Sequence, residues 1–252
     1  MNTLDNKIDE IEEEKQIEFS QPNLIYRRET KVISGQSMAE LHRLAYKQGL
    51  EIPALHVLAE ARINSGGRLR EFLWKYYWLS SSALSRVQHK GKDYGIFTHI
   101  NPFRTEENRS NAYQKFLGKG AVQLTNNEIS YLLSVEDGKN VIIVPFKDIR
   151  NSPRGMVSLK DIVNRKKHVV VMGALRNDKE LLDLYIEVYI DVMQKSQFTP
   201  TEMGVWFSED AKINTMRPLA IGDSGIGIYN WNLTNKYYRA LGIKKYQKPQ
   251  LF

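Results

Sequence analysis

Hydrophobic positions in this chain follow one long helical rhythm and several shorter, strand-like ones. Between Asp178 and Lys195, the residues Leu181, Leu182, Tyr185, Val188, Tyr189 and Val192 recur at three- and four-residue steps. That spacing predicts a helix with one apolar stripe turned inward. A helical block is also expected over about 37–90. Ser37 and Glu40 have capping-box spacing, and Met38, Leu41, Leu44 and Ala45 line one helical face. Gly49 suits a helix stop, and Pro53 suits the first turn of a second helix running to Ile63. A third helix is expected over Arg68–Leu79, with Leu69, Phe72, Leu73 and Tyr76 inward. Ser80-Ser81-Ser82 interrupts it, and Ser82 suits the cap of a short fourth helix.

Elsewhere the pattern reads as strand. Leu24–Ile33 alternates, Tyr94–Ile100 is strand-like up to Asn101-Pro102, and Ala121–Leu124 is a short candidate. Tyr131–Val135 and Asn140–Phe146 flank Asp137-Gly138, which predicts a β-hairpin. The apolar run His168–Met172 reads as a buried strand, as do Val205–Phe207 and Ile226–Tyr229, with a short helix over 232–241. Residues 104–116 are polar and read as a surface loop. The expected class is α+β: a helical N-terminal third, then a mostly antiparallel or mixed sheet with one long packed helix. The expected divisions are an acidic arm over 1–20, helical or disordered, a helical region over 21–93, an α+β region over 94–243 and a basic extended tail over 244–252.

Charge changes this picture. The chain has 252 residues and a net charge of +7, unevenly spread. Residues 1–20 hold Asp5, Asp9, Glu10, Glu12, Glu13, Glu14 and Glu18 against Lys7 and Lys15. A basic body with an acidic extension points to a polyanionic partner or an acidic face on a neighbouring protein. Two basic stretches stand out. In 62–92, Arg62, Arg68, Arg70, Lys75, Arg86, Lys90 and Lys92 face only Glu71, interleaved with Phe72, Trp74, Tyr76, Tyr77 and Trp78. So many rings within so few residues cannot share one helical face, so Phe72, Trp74, Tyr77 and Trp78 are interface candidates. In 147–168, Lys147, Arg150, Arg154, Lys160, Arg165, Lys166 and Lys167 face Asp148 and Asp161. Candidates for polyanion contact are Arg68, Arg70, Lys75, Arg86, Lys90, Arg150, Arg154, Arg165, Lys166 and Lys167; a solvated basic surface has the same signature.

Several chemistries are excluded or weakly signalled. There is no cysteine, so disulfides, thiolate metal sites and cysteine nucleophiles are out. The five histidines (His42, His56, His89, His99, His168) are scattered. Asp183, Glu187 and Asp191 share a helical stripe, which reads as a solvated acidic face before a metal site. Gly222-Asp223-Ser224-Gly225 matches the letters around a trypsin-like serine, without the histidine and aspartate context that chemistry requires. The P-loop spacing is absent, and no carboxylate–lysine nuclease pattern falls on a credible strand. No catalytic, cofactor or metal role is assigned. Leu44-Ala45, Gly49-Leu50, Leu55 and Leu58 have helix–turn–helix spacing, although Glu51, Ala54, His56 and Val57 are poor readers of base edges.

The acidic N-terminus lacks the long apolar core of a secretory signal, and no apolar run is long enough to cross a bilayer. The expectation is a cytoplasmic protein, or one assembled into a particle there, without membrane contact. The expected role is a non-enzymatic assembly protein, homo-oligomeric or part of a larger complex, near DNA or RNA, such as a head–tail connector or other virion part. The alternatives are a helix–turn–helix DNA-binding protein and an enzyme acting on a polyanion.

Overall fold

The computed structural model describes residues 15–21, 24–35, 38–99, 122–164, 168–195, 200–207, 212–222 and 238–244. In chain order these form β1 (Lys15–Gln21), β2 (Leu24–Gly35), α1 (Met38–Lys47), β3 (Leu50–Glu51), α2 (Leu55–Asn64), α3 (Gly67–Lys75), β4 (Trp78–His89), β5 (Lys92–Thr98), β6 (Val122–Gln123), α4 (Asn126–Ser134), β7 (Val141–Pro145), α5 (Phe146–Arg150), β8 (Gly155–Ser158), α6 (Leu159–Val163), α7 (Val169–Ala174), α8 (Lys179–Lys195), β9 (Glu202–Val205), β10 (Thr215–Ile221) and β11 (Tyr238–Lys244). The class is α+β, with a mixed sheet and one long helix, α8, packed on α2. Strands β8 and β9 pair apart from the main sheet as a two-stranded ribbon.

The main sheet is organised by β4. Strand β10 runs antiparallel along one edge of it, from Arg86 to Trp78. The other edge is shared: β11 meets it in parallel at Leu79, and β5 pairs antiparallel from Ala83 to His89. Strands β2 and β1 extend the β11 side, and β7 extends the β5 side. Alternate residues of β4 enter three apolar clusters: Trp78 and Leu84 one, Leu79 a second, Ala83 and Val87 the third. A strand buried on both faces needs its polar groups satisfied from within.

The serine run does this. Ser80 Oγ donates to the Leu219 carbonyl at 2.7 Å, where the β4–β10 register shifts between Pro218 and Ala220. The Ser81 N–H donates to the Pro53 carbonyl at 2.8 Å. Ser82 Oγ accepts from the Leu55 N–H at the start of α2, at 2.9 Å. The expected break and fourth helix are therefore a central strand. Small side chains let β10 and α2 approach closely, and their hydroxyls supply the bonds.

Other expectations change for similar reasons. The first third is not mainly helical: β1, β2, β3 and β4 interleave with α1, α2 and α3. The boundary expected at 93/94 falls inside the β4–β5 hairpin. Tyr131–Val135 is not a hairpin arm. Thr125 and Glu128 form a reciprocal capping box that starts α4, and β7 pairs with β5 instead. The Asp137-Gly138 turn itself forms: Asp137 Oδ1 accepts from the Lys139, Asn140 and Val141 N–H groups. The run expected as a strand at 168–172 is the buried helix α7. Residues 238–241, expected as the end of a helix, pair with β2. Residues 1–14, 100–121, 226–229, 232–237 and 245–252 lie outside the described residues, and with them the acidic arm up to Glu14, the 104–116 loop, one candidate strand and the basic tail.

Two close approaches lock helices onto β5. A methyl at Gly95 would overlap the Ile149 side chain of α5, and one at Gly173 of α7 would sit 2.5 Å from the Phe97 ring. Glycine at 95 is what seats α5 against the sheet. Gly95→Ala is expected to lower stability by about 1–3 kcal/mol through overpacking. The check is a urea titration in which the midpoint falls and the slope stays constant.

Candidate anion-binding cleft

At the β5–β7 corner, the sequence places cations around an apolar floor. Lys92, Asp93 and Tyr94 come from β5, Ile143, Val144 and Pro145 from β7, Phe146, Lys147 and Arg150 from α5, and Glu136 from the preceding turn. Together they enclose a cleft of about 630 Å³. Phe146 is buried beneath it, while Lys92, Lys147 and Arg150 are exposed. Arg86 supports the floor: its guanidinium lies 4.4 Å from the Phe146 ring centroid and pairs with Asp93 at 2.7 Å. That pair balances one of the two carboxylates. Lys92, Lys147 and Arg150 then face Glu136 alone among the ionised lining groups.

The other expected contact residues are dispersed. Arg68 and Lys75 are exposed on α3, and Lys90 is exposed at the β4–β5 turn. Arg70 serves the fold: it donates to the carbonyls of Ser65 and Ile63 and lies 3.6 Å from Asp191. Arg154 is exposed just before β8. Arg165, Lys166 and Lys167 lie outside the described residues. The structure thus brings Arg150 and Arg86 together, with Lys92 and Lys147, which the sequence offered only as members of charge runs.

The aromatic interface candidates separate. Trp74 is 3 % exposed and Trp78 1 %, so both are core rings and not surface contacts. Trp78 Nε1–H donates to the Leu73 carbonyl at 2.9 Å. Trp74 lies 4.8 Å from the Arg62 guanidinium and packs against the Tyr185 ring at 5.1 Å. Phe72 and Tyr77 are half-buried, and Phe72 packs edge-on to Tyr76. The rings fit because α3 ends at Lys75 and β4 begins at Trp78, so the backbone turns and faces them differently.

Arg62, in sequence only one base of the 62–92 stretch, belongs to the core. It is fully buried, donating Nη1 to the Tyr185 hydroxyl and the Gly222 carbonyl and Nη2 to the Tyr76 carbonyl. A lone cation inside the apolar stretch 55–63 was the available signal. Helix α2 as a whole rules against the helix–turn–helix alternative. No residue from 55 to 63 is exposed, so no recognition face is free for a groove.

Ser82 and His99 form the pair that most resembles a nucleophile with its base. Ser82 Oγ and His99 Nδ1 lie 2.8 Å apart. His99 Nε2 meets the Gly173 carbonyl at 2.9 Å, so it carries the proton, and Nδ1 accepts from the serine hydroxyl. Ser82 Oγ already accepts from Leu55, and both side chains are buried. This arrangement fastens α2, β4, β5 and α7 together and presents no oxygen to a substrate. His56 accepts from Arg176 Nη1 at 3.2 Å and meets His99 edge to face at 5.6 Å. Among the described residues, no group of three or more His, Cys, Asp or Glu could hold a metal. On α8, Asp183 pairs with Lys179 and Asp191 with Lys195, as a solvated face does. Of the Gly222–Gly225 motif only Gly222 is described.

Burial holds three histidines neutral. It pushes His56 down to about 3, aided by His99 and Arg176. His99 and His168 are pushed down to about 4, again chiefly by burial. The unfolded chain takes up these protons first, near the ordinary histidine value of about 6.5. Stability is therefore full above that pH and declines on acidification until the folded state also protonates, near pH 4 and below. Burial raises Glu60, which works in the opposite sense. Urea titrations from neutral pH downward are expected to lose up to about 1.4 kcal/mol per pH unit for each histidine. A pH-independent midpoint over this range would contradict the burial.

Among the described residues, no helix is long and apolar enough to cross a membrane. Comparison with protein-family models and with curated proteins gives no match. A solved structure described as "Accommodation of massive sequence variation in Nanoarchaeota by the C-type lectin fold" is similar, with a TM-score of 0.69 and 19 % identity. The likeness covers 86 % of this chain and 98 % of that one. At that identity it shows a shared fold alone.

Proposed function

We propose that the protein is a non-enzymatic binding component of a larger assembly that grips a polyanionic partner in the β5–β7 cleft. The observation that carries this reading is the exposed cationic rim of Lys92, Lys147 and Arg150 over the apolar floor of Phe146 and Val144. A cation at a cleft mouth gains from an anionic partner by releasing that partner's counterions. The Ser82–His99 pair supports the non-enzymatic side, because its hydrogen bonds are spent inside the protein. The similar structure is described as a C-type lectin fold that accommodates massive sequence variation, and a fold of that kind is compatible with recognition carried by surface side chains. The finer form of the reading is a virion part close to nucleic acid, such as a head–tail connector. It rests on the acidic segment 1–20 set against a basic body.

Calorimetric titration with heparin, a generic polyanion, tests the cleft. Binding is expected to weaken steeply as salt rises from about 50 to about 200 mM. The triple variant Lys92→Ala/Lys147→Ala/Arg150→Ala is expected to bind at least about tenfold more weakly. The slope of log affinity against log salt should flatten by about 2, as three lost phosphate-like contacts require. All three side chains are exposed, so the melting temperature should hold. Equal affinity of variant and wild type would sink the reading.

A further inference from the structure

Beside the cleft, the β8–β9 ribbon exposes two apolar side chains that no packing explains. Met156 is 51 % exposed and Trp206 44 %. Two glycines keep this surface low. Gly155 has a φ of +89°, which favours glycine, and a methyl there would sit 3.9 Å from the Trp206 ring. Gly204 lies directly across from Met156 in the ribbon register. The indole thus rests over bare backbone at Gly155. Exposed Arg154 immediately precedes that glycine. Arg150 of the cleft lies four residues before Arg154, so their Cα atoms are at most about 14 Å apart. Cleft and ribbon are therefore close along the chain, the cleft with exposed cations at Lys92, Lys147 and Arg150 and the ribbon with an exposed indole at Trp206.

We propose that cleft and ribbon together bind single-stranded nucleic acid, with phosphates along the cations and an unpaired base stacked on Trp206. The proposal rests on the polyanion reading of the cleft and names the polyanion. A single strand is the partner that uses both features. Acidic side chains satisfy the cations and leave the indole idle, whereas an uncharged sugar uses the indole and leaves the cations idle. Base–aromatic stacking tolerates any base, so the expected binding is sequence-independent and salt-sensitive.

The test compares two anions. Fluorescence anisotropy follows a labelled oligothymidylate of about twelve nucleotides, a length within the range single-strand sites occupy. Inorganic polyphosphate, which carries charge without bases, is titrated against the same protein. Trp206→Ala is expected to weaken oligothymidylate binding about tenfold and leave polyphosphate binding unchanged. Trp206→Phe should retain most of the affinity, because it keeps a ring. The triple cleft variant should weaken both anions. If Trp206→Ala weakens neither anion, or both equally, while the triple variant weakens both, the stacking proposal falls and the cleft reading stands. If the wild type binds neither anion, both fall. Unchanged melting of Trp206→Ala confirms that the comparison is between folded proteins.

Discussion

The double-sided burial of β4 is the constraint on which the rest of the molecule depends. Its side chains enter all three apolar clusters, and every residue from Trp78 to Ser85 is buried. A buried backbone or hydroxyl group without a partner costs about 1–3 kcal/mol, and β4 carries the buried run Ser80, Ser81 and Ser82. The structure meets that demand by making neighbouring elements the partners. Leu219 at the β10 register shift, Pro53 before α2 and the first turn of α2 each bond to a group of the serine run. The polar groups that would otherwise weaken the strand thereby fix the position of α2 and of β10.

From that spine the cleft follows. Strand β5 is held on β4, and Gly95 lets Ile149 lie flush against it, which seats α5. Arg86 leaves β4 to pair with Asp93 and cover Phe146, so the floor of the cleft is anchored to the central strand. On the other side of the core, Arg62 ties α2 to α8 and to Gly222 at the end of β10. Its partners there are two carbonyl oxygens and a phenol, which take up Nη1 and Nη2, while Nε is buried without a hydrogen bond among the described residues.

Interior and surface divide the charged and titratable groups by chemistry. Inside, desolvation keeps His56, His99 and His168 neutral, and His99 joins Ser82 of β4 to the Gly173 carbonyl of α7. Outside, Lys92, Lys147 and Arg150 stay exposed at the cleft rim.

Where a segment's own period or turn chemistry decided its state, the sequence was enough. Helix α8 was legible from Asp178 to Lys195, because its apolar stripe continues over several turns. Strands β2 and β5 were legible from alternation, and the Asp137-Gly138 turn from its residue types. The net positive charge and the absence of cysteine chemistry were fixed by composition alone. Tertiary structure decided the segments whose local signals were ambiguous. The serine run has no local reason to be a strand; it becomes one because three partners need its hydroxyls and backbone. The apolar run at 168–172 fits a buried strand or a buried helix equally by period, and in the structure it is a buried helix whose Gly173 lies against Phe97. The rings at Phe72–Trp78 read as an exposed cluster only while one helix was assumed. The turn between α3 and β4 buried Trp74 and Trp78. Lys92, Lys147 and Arg150 come from separate segments, and a cleft between them exists only once β7 pairs with β5.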